Sequence, residues 1–290
     1  MIIHSVQYGI KQLRKNIRMV LLYYLLNLAF ALVIAIPFRF IFADYIGSSL
    51  MGERLAAKMD MDFLFEFLIH NSKALSSISG ALIIVAVLYW LLQLFLSGGA
   101  LAVLSSGESY SAIPFWKGAA QYFGKFLRLS LWALPVLVIL LLLPQLWNWL
   151  RILFWGSDPA ESVIYYSAWL KMGVRYLCIL LFALIFDYAR IHAVIANERK
   201  MRISLVVGMK FSLKHIMKTL GLSLLFFIAG GVAMLIYNPI ADLLSNPAAY
   251  LILILFLLQQ LYMFWRMALK ITKFSSQLHL FNSLSNQPSF

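Results

Sequence analysis

The chain has 290 residues, of which 63% are hydrophobic and 12% charged, and its formal net charge is +13. Soluble domains are nearer half apolar and a quarter charged, so this composition excludes an ordinary water-soluble protein. The bases flank apolar segments, which favours anionic lipid over nucleic acid as their partner. The single cysteine, Cys178, lies in an apolar segment, so neither an intramolecular disulfide nor a Cys/His metal site is expected.

Six apolar segments are long enough to cross a bilayer, which takes about 20 helical residues. None shows the alternation of a β-barrel strand, so the sequence predicts an all-α polytopic membrane protein with a single domain over residues 1–290. The predicted spans are residues 19–38, 81–104, 127–146, 174–195, 220–237 and 248–269.

The basic residues lie mostly on one side of these spans. If the N-terminus is cytoplasmic, the cytoplasmic segments hold 17 of the 24 Lys and Arg residues but only three of the 11 acids. Loops rich in Lys and Arg stay in the cytoplasm, so we expect both termini to be cytoplasmic.

The predicted outer loops and the C-terminal tail contain further features. Apolar side chains recur at helical spacing over Glu53–His70, which predicts a helix on the outer membrane surface or one packed over the span ends. The segment Trp147–Lys171 is rich in Trp and Tyr, as is typical at the headgroup level. The polar tail from Thr272 is expected to stay helical to about Leu280 and then to fray.

The segment Asp187–Lys218 is the strongest candidate for function. Its seven Lys and Arg residues are opposed only by Asp187 and Glu198. Apolar residues alternate with bases from Val206 to Leu213, which predicts an amphipathic helix in the headgroup layer. The alternative is that these bases only fix orientation during insertion. The bases expected to bind anionic lipid there are Lys210, Lys214 and Lys218.

Asp187 and Arg190 are three residues apart near the end of the fourth span, so they share a helix face and can pair. One interpretation is an ion pair that anchors the helix end, where Arg190 also complements the helix dipole. The other is that Arg190, together with His192, holds a lipid phosphate or another anionic ligand.

Four amides lie within the predicted spans. Neutral amides at membrane depth most often link helices by hydrogen bonds, and the alternative is a polar transport path. No acid or base lies near the middle of these segments, which argues against a proton-coupled transporter. The four amides are Asn27, Gln93, Gln259 and Gln260.

Two basic segments match at an offset of 90 residues, pairing Glu108 with Glu198 and Gly118 with Gly208. The N-terminal segment around Gly9 has the same order of glycine, bases and apolar span. This pattern predicts three units, each a basic amphipathic helix followed by a helical hairpin. The alternative is that glycine and bases precede spans for topological reasons alone.

Several of these motifs together resemble a known family. They are the Gly98-Gly99 pair at the end of the second span, the segment Asp187–Val194, the nearby Glu198 and the segment around Gly208. The family is a poorly characterised bacterial group of six-helix membrane proteins, similar to the membrane domain fused to some glycerophosphodiester phosphodiesterases. The resemblance implies a bacterial inner-membrane protein with no assigned reaction. This sequence has no hydrolase domain, so the phosphodiesterase activity is not implied.

The sequence contains no nucleotide-binding, zinc-protease or serine-hydrolase motif, and its histidines lack ligand spacing. We therefore expect no metal and no cofactor, and a non-catalytic role rather than an enzyme. The favoured function is a membrane scaffold or accessory protein that contacts anionic lipids and other membrane proteins. The alternative is a transporter or lipid-handling protein with a polar path between its helices.

Overall fold

The computed structural model describes residues 1–47, 65, 72–156, 159–244 and 248–285. Within these residues the chain forms eight α-helices and no β-strand, which confirms the predicted all-α class. Apart from residue 65, the predicted amphipathic helix Glu53–His70 lies outside the described residues. The helices are α1 (Ile2–Lys15), α2 (Ile17–Ile46), α3 (Ser72–Ser106), α4 (Ala112–Trp155), α5 (Glu161–Ile195), α6 (Met201–Lys214), α7 (Ile216–Leu243) and α8 (Ala249–Ser285).

Six of the described helices are long and apolar enough to cross a membrane, namely α2, α3, α4, α5, α7 and α8. Each contains one of the six predicted spans, so the structure has the helix content of a multi-pass membrane protein. Several helices exceed the predicted limits. With 44 residues, α4 is about 66 Å long, roughly twice the hydrocarbon thickness of a bilayer. The long helices therefore extend well beyond the apolar layer.

The buried core occupies one end of the bundle, which holds α1, α6 and the C-terminal half of α8 and is called the terminal end below. Tyr23, Phe126 and Tyr188 are fully buried there. Toward the opposite end the same helices expose large apolar side chains such as Leu153 and Leu235. Such a band of exposed apolar residues suits contact with lipid rather than water.

Exposed tryptophans indicate where a bilayer would lie. Trp132 and Trp149 of α4 are both exposed and are about 26 Å apart along the helix, close to the hydrocarbon thickness. Trp90 of α3 and Trp265 of α8 are exposed near the terminal end as well. Because Trp prefers the headgroup level, the positions of Trp90, Trp132 and Trp265 are compatible with a headgroup layer close to the terminal-end core.

Glycines allow close contacts between helices at the terminal end, and three of them share a position in the predicted repeat. A Cβ atom at Gly208 of α6 would lie 2.6 Å from the backbone nitrogen of Ala189 on α5. A Cβ atom at Gly118 of α4 would overlap the Cβ of Ala102 on α3. A Cβ atom at Gly9 of α1 would overlap the side chain of Ser276 on α8. These are the three glycines that align in the predicted repeat.

Two helices bend at matching positions after these glycines. α1 ends at Asn16, with φ −116° and ψ 30°, and α6 ends at His215, with φ −116° and ψ 32°. In both cases the next helix begins at the following residue, and the glycine precedes the bend by the same number of residues. The matching residue of α4, Lys125, lies inside a continuous helix.

The polar segment after Thr272 is buried helix rather than a fraying tail. α8 runs to Ser285, and Ser275, Ser276 and Gln277 are fully or almost fully buried against α1 and α5. The expected end near Leu280 is therefore wrong. Ser276 donates a hydrogen bond to the backbone oxygen of Thr272 at 2.8 Å, so its hydroxyl has a partner within the helix. Because the serine side chain is small, α1 can pack closely against it.

Candidate functional site

Asp187 on α5 is the centre of a buried polar cluster. Its Oδ1 accepts a hydrogen bond from Arg190 Nη2. Its Oδ2 accepts one from Lys273 Nζ at 2.8 Å and one from Gln277 Nε2 at 3.1 Å. Lys273 and Gln277 belong to α8, so the carboxylate joins α5 to α8. A buried carboxylate needs such partners, because leaving a charge unpaired in the interior costs several kcal/mol.

Arg190 is enclosed rather than presented to solvent, with 9% of its surface exposed. Its guanidinium carbon lies 4.8 Å from the ring centroid of Phe186 and 5.4 Å from that of Phe274. His192 is directed elsewhere, and its Nδ1 lies 3.2 Å from Ser204 Oγ on α6. Arg190 and His192 therefore do not form one surface site, and this placement does not suit a bulk lipid headgroup at Arg190.

A second polar network surrounds Lys270, about one turn from Lys273 on α8. Lys270 Nζ donates a hydrogen bond to Gln93 Oε1 on α3. Gln93 Nε2 in turn donates to Asn27 Oδ1 of α2 at 3.0 Å, and the Tyr89 hydroxyl donates to the same oxygen at 2.7 Å. Asn27 and Gln93 thus connect α2, α3 and α8 through their amides.

The other two predicted amides have different surroundings. Gln260 Oε1 accepts a hydrogen bond from the Tyr24 hydroxyl at 2.7 Å, which links α8 to α2. Gln259 lies on the exposed surface of α8. Three of the four amides therefore connect helices, and Gln259 does not share a cavity with them.

These two networks carry more positive than negative charge. Arg266, Lys270 and Lys273 follow one another at helical spacing along one face of α8, which is called the basic stripe below. Among the described residues, Asp187 forms ion pairs with Arg190 and Lys273, and no carboxylate pairs with Arg266 or Lys270. The polar end of the bundle therefore has a surplus of cations.

The exposed surface of α6 carries the bases predicted to bind lipid. Lys210 and Lys214 are exposed, and Lys218 on the first turn of α7 is partly exposed. The opposite face of α6 packs on α5 through Leu205 and Gly208. Large apolar side chains lie exposed beside the bases, namely Ile203, Val206, Leu213 and Met217.

The connection between α5 and α6 is held by polar contacts. Glu198 Oε1 accepts hydrogen bonds from the backbone nitrogens of Lys200 at 3.0 Å and Arg199 at 2.8 Å. These bonds, that of Lys200 first, lower the pKa of the Glu198 carboxyl. Lys125 of α4 donates a hydrogen bond to Asn197 Oδ1 at 2.8 Å, where the backbone turns with φ 46°. The start of α6 is thus fixed against α4.

The basic stripe was not predicted from the sequence. Hydropathy ends the sixth span at residue 269, so Lys270 and Lys273 were interpreted as bases that flank a span. The spacing of Lys270 and Lys273 with Arg266 and Gln277 is the sequence feature that indicates the stripe. If the helix continues past residue 269, this spacing places the four residues on one side of it.

Comparison with protein-family models, with curated proteins and with solved structures found no match for this chain. The resemblance to the membrane domain fused to glycerophosphodiester phosphodiesterases therefore stays a prediction. A function has to be inferred from the geometry of the two buried networks and of the α6 surface.

Proposed function

We propose that this protein is a non-catalytic membrane scaffold or accessory protein whose α6 surface binds anionic lipid. The observation that carries this proposal is the exposed face of α6, where Lys210 and Lys214 lie beside Val206 and Leu213. Such a face suits the headgroup layer, because its apolar atoms can contact acyl chains while its bases contact phosphates. Other membrane proteins are further partners in this role.

In this proposal the terminal end faces the cytoplasm of a bacterium, and the chain lies in the inner membrane with both termini inside. The excess of Lys and Arg in the segments at this end supports that orientation. The exposed Trp90, Trp132 and Trp265 support a headgroup layer at the same level, close to α6. Anionic lipids of the cytoplasmic leaflet would then be within reach of its bases.

We also propose that the chain consists of three related units, each a leading amphipathic helical segment followed by a hairpin. The close contacts at Gly9, Gly118 and Gly208 and the matching bends at Asn16 and His215 support this view. The leading segments pack on the end of the span that precedes them: α4 on α3 and α6 on α5. α1 packs in the same way on the end of α8.

Two matching hydrogen bonds also support the proposal that the units are related. Ser204 lies one helical turn before Gly208, and its hydroxyl contacts Nδ1 of His192 at the end of the preceding span. Ser5 lies one turn before Gly9, and its hydroxyl contacts Nδ1 of His279 at 3.1 Å near the end of α8. The two interfaces thus use the same pair of residue types at the same spacing.

The lipid role is tested by neutralising Lys210, Lys214 and Lys218 to Gln in the full chain. Retention of phosphatidylglycerol and of phosphatidylcholine is then compared by native mass spectrometry. Each base near an anionic surface contributes about 1 kcal/mol, so the variant should bind phosphatidylglycerol at the α6 surface at least about tenfold more weakly.

The matched control neutralises three bases at the opposite end of the bundle, Arg151, Lys171 and Arg175, and should keep wild-type retention. Topology is checked in both variants before lipid is measured. Equal retention by the α6 variant and the wild type would leave the α6 bases with orientation as their only role.

A lipid-handling protein is the second candidate function. The favouring observation is a groove between α2, α3 and α8 that reaches the network of Asn27 and Tyr89. Reconstitution into vesicles that carry a labelled phospholipid would test it. Transbilayer movement of the label above the protein-free rate supports handling, and its absence favours the scaffold.

A further inference from the structure

The groove between α2, α3 and α8 opens on the membrane-facing side of the bundle and encloses about 410 Å³. Its walls are mostly apolar, and Phe30 and Leu82 are among them. On α2 and α3 its lining becomes polar toward the terminal end, at Asn27 and Tyr89, and on α8 Arg266 lies between Met263 and Met267. The groove therefore has an apolar part and one polar end.

The polar end is positively charged. Arg266 is exposed, and its guanidinium carbon lies 5.9 Å from the ring centroid of Tyr262. Lys270, one turn further along the basic stripe, is bonded to Gln93, whose amide also contacts Asn27 in the groove wall. Among the described residues neither base forms an ion pair with a carboxylate, so an anion at this end would be attracted by the charge of Arg266.

The level of the groove suits an amphiphile. Trp90 follows Tyr89 and Trp265 precedes Arg266 in the chain, and both tryptophans are exposed, as is usual at the headgroup level. The apolar wall at Leu82 lies about two turns away along α3, at acyl-chain depth. A charged head and an apolar chain would therefore meet matching surfaces in a single ligand.

We propose that this groove binds one anionic phospholipid, with its phosphate at Arg266 and an acyl chain along Phe30 and Leu82, while Lys270 lies behind the groove wall and adds positive charge there. The volume of the groove falls in the range of ligand sites in proteins. The site goes beyond the α6 surface and does not depend on it, because it uses different helices and different bases. Its occupant is a single bound lipid rather than a lipid layer.

A second groove offers an internal comparison. It lies between α7 and α8, encloses about 500 Å³, and is lined by apolar and aromatic side chains such as Ala233, Val232 and Trp265. None of the described residues that line it is Lys, Arg, Asp or Glu. Lipids with anionic and with neutral headgroups should fill this groove equally well, because only their acyl chains would contact it. It therefore serves as the matched control for the charged groove.

The first test replaces Arg266 by Gln in the full chain and measures binding of phosphatidylglycerol and phosphatidylcholine with identical acyl chains by native mass spectrometry. The wild type should retain one phosphatidylglycerol preferentially. Arg266→Gln should weaken it about fivefold, the equivalent of about 1 kcal/mol for one base, and a double variant with Lys270→Gln should weaken it further. Arg128→Gln, an exposed base one turn from Trp132 on α4, is the control and should change nothing.

The second test fills the groove instead of removing charge, so it does not depend on the fold tolerating a change at Lys270. Ala86→Phe places a ring in the charged groove, and Ala233→Phe places one in the apolar groove. The bound phosphatidylglycerol should be lost in the first variant and kept in the second. One phosphatidylglycerol per chain should also persist when Lys210, Lys214 and Lys218 are neutralised, while the further phosphatidylglycerol molecules held at the α6 surface are lost, which separates the two sites.

Wild-type retention in both Arg266→Gln and Ala86→Phe would overturn the proposal. Equal affinity of the wild type for phosphatidylglycerol and phosphatidylcholine would overturn it too, because no anionic head is then recognised. Loss of the lipid in the Lys210, Lys214 and Lys218 variant would also overturn it, because the lipid would then belong to the α6 surface.

Discussion

Asp187 organises more of the interior than its neighbours in the sequence indicate. One buried carboxylate holds Arg190 from its own helix and Lys273 and Gln277 from α8. The pairing with Arg190 is visible in the sequence, because residues three apart on a helix share a face. Lys273 lies far along the chain, and only the packing of α5 on α8 brings it to the same oxygen atoms.

We expect Asp187→Asn to lower the free energy of unfolding by about 3–5 kcal/mol, because the buried Arg190 and the half-buried Lys273 both lose their counter-ion. Arg190→Met should also destabilise, and the double variant should cost less than the sum of the two single changes. Thermal unfolding in detergent measures this as a double-mutant cycle.

Glu161→Gln, at the exposed start of the same helix, is the control, and its stability should stay within about 0.5 kcal/mol of the wild type. Additive effects of Asp187→Asn and Arg190→Met would show that the two side chains are not coupled.

At the scale of helices, the short α6 shows how a glycine sets the distance between two elements. A methyl group at Gly208 would lie within 3 Å of three atoms of Ala189, two of them backbone, so α5 and α6 would have to separate. We expect Gly208→Ala to destabilise by about 1–3 kcal/mol, as overpacking does in other cores.

Gly124 of α4 provides the matched control, because nothing lies within 4 Å of the corresponding Cβ position. Gly124→Ala should be neutral or stabilise by up to about 1 kcal/mol, since alanine favours a helix more than glycine does. Both variants are compared by thermal unfolding in the same detergent. A Gly208→Ala protein as stable as the wild type would mean that the α5–α6 contact is looser than its geometry indicates.

At the scale of the whole molecule, the proposed orientation makes a direct prediction about the connections between helices. Reporters fused after Gly107 and Asn197, which follow α3 and α5, should report the cytoplasm. Reporters fused after Gly156 and Leu244, which follow α4 and α7, should report the outer side. The excess of bases at the terminal end is the physical reason, because Lys and Arg resist transfer across the membrane. A single reporter on the wrong side would contradict the six-span topology.

The two ends of the bundle also differ in how far the sequence predicts them. The helices of the lipid-facing half can be predicted from composition, because hydropathy locates them and aromatic residues such as Trp149 mark where they end. The terminal end depends on specific pairings between distant segments. Ser276 and Gln277 are buried there although their polarity indicates a solvated tail, because hydrogen bonds within α8 and to Asp187 satisfy them. Such partners become visible only once the helices are placed side by side.

The contact between α1 and the end of α8 has a consequence for the order of events during synthesis. α1 leaves the ribosome before the other described helices, whereas Thr272, Ser276 and His279, against which Gly9 and Ser5 pack, belong to the last of them. Until then α1 is an amphipathic helix with an uncovered face, free to rest on the membrane surface. The contact between α1 and α8 can therefore form only after α8 has been synthesised. If synthesis stalls before that point, the uncovered face of α1 is accessible to chaperones and proteases.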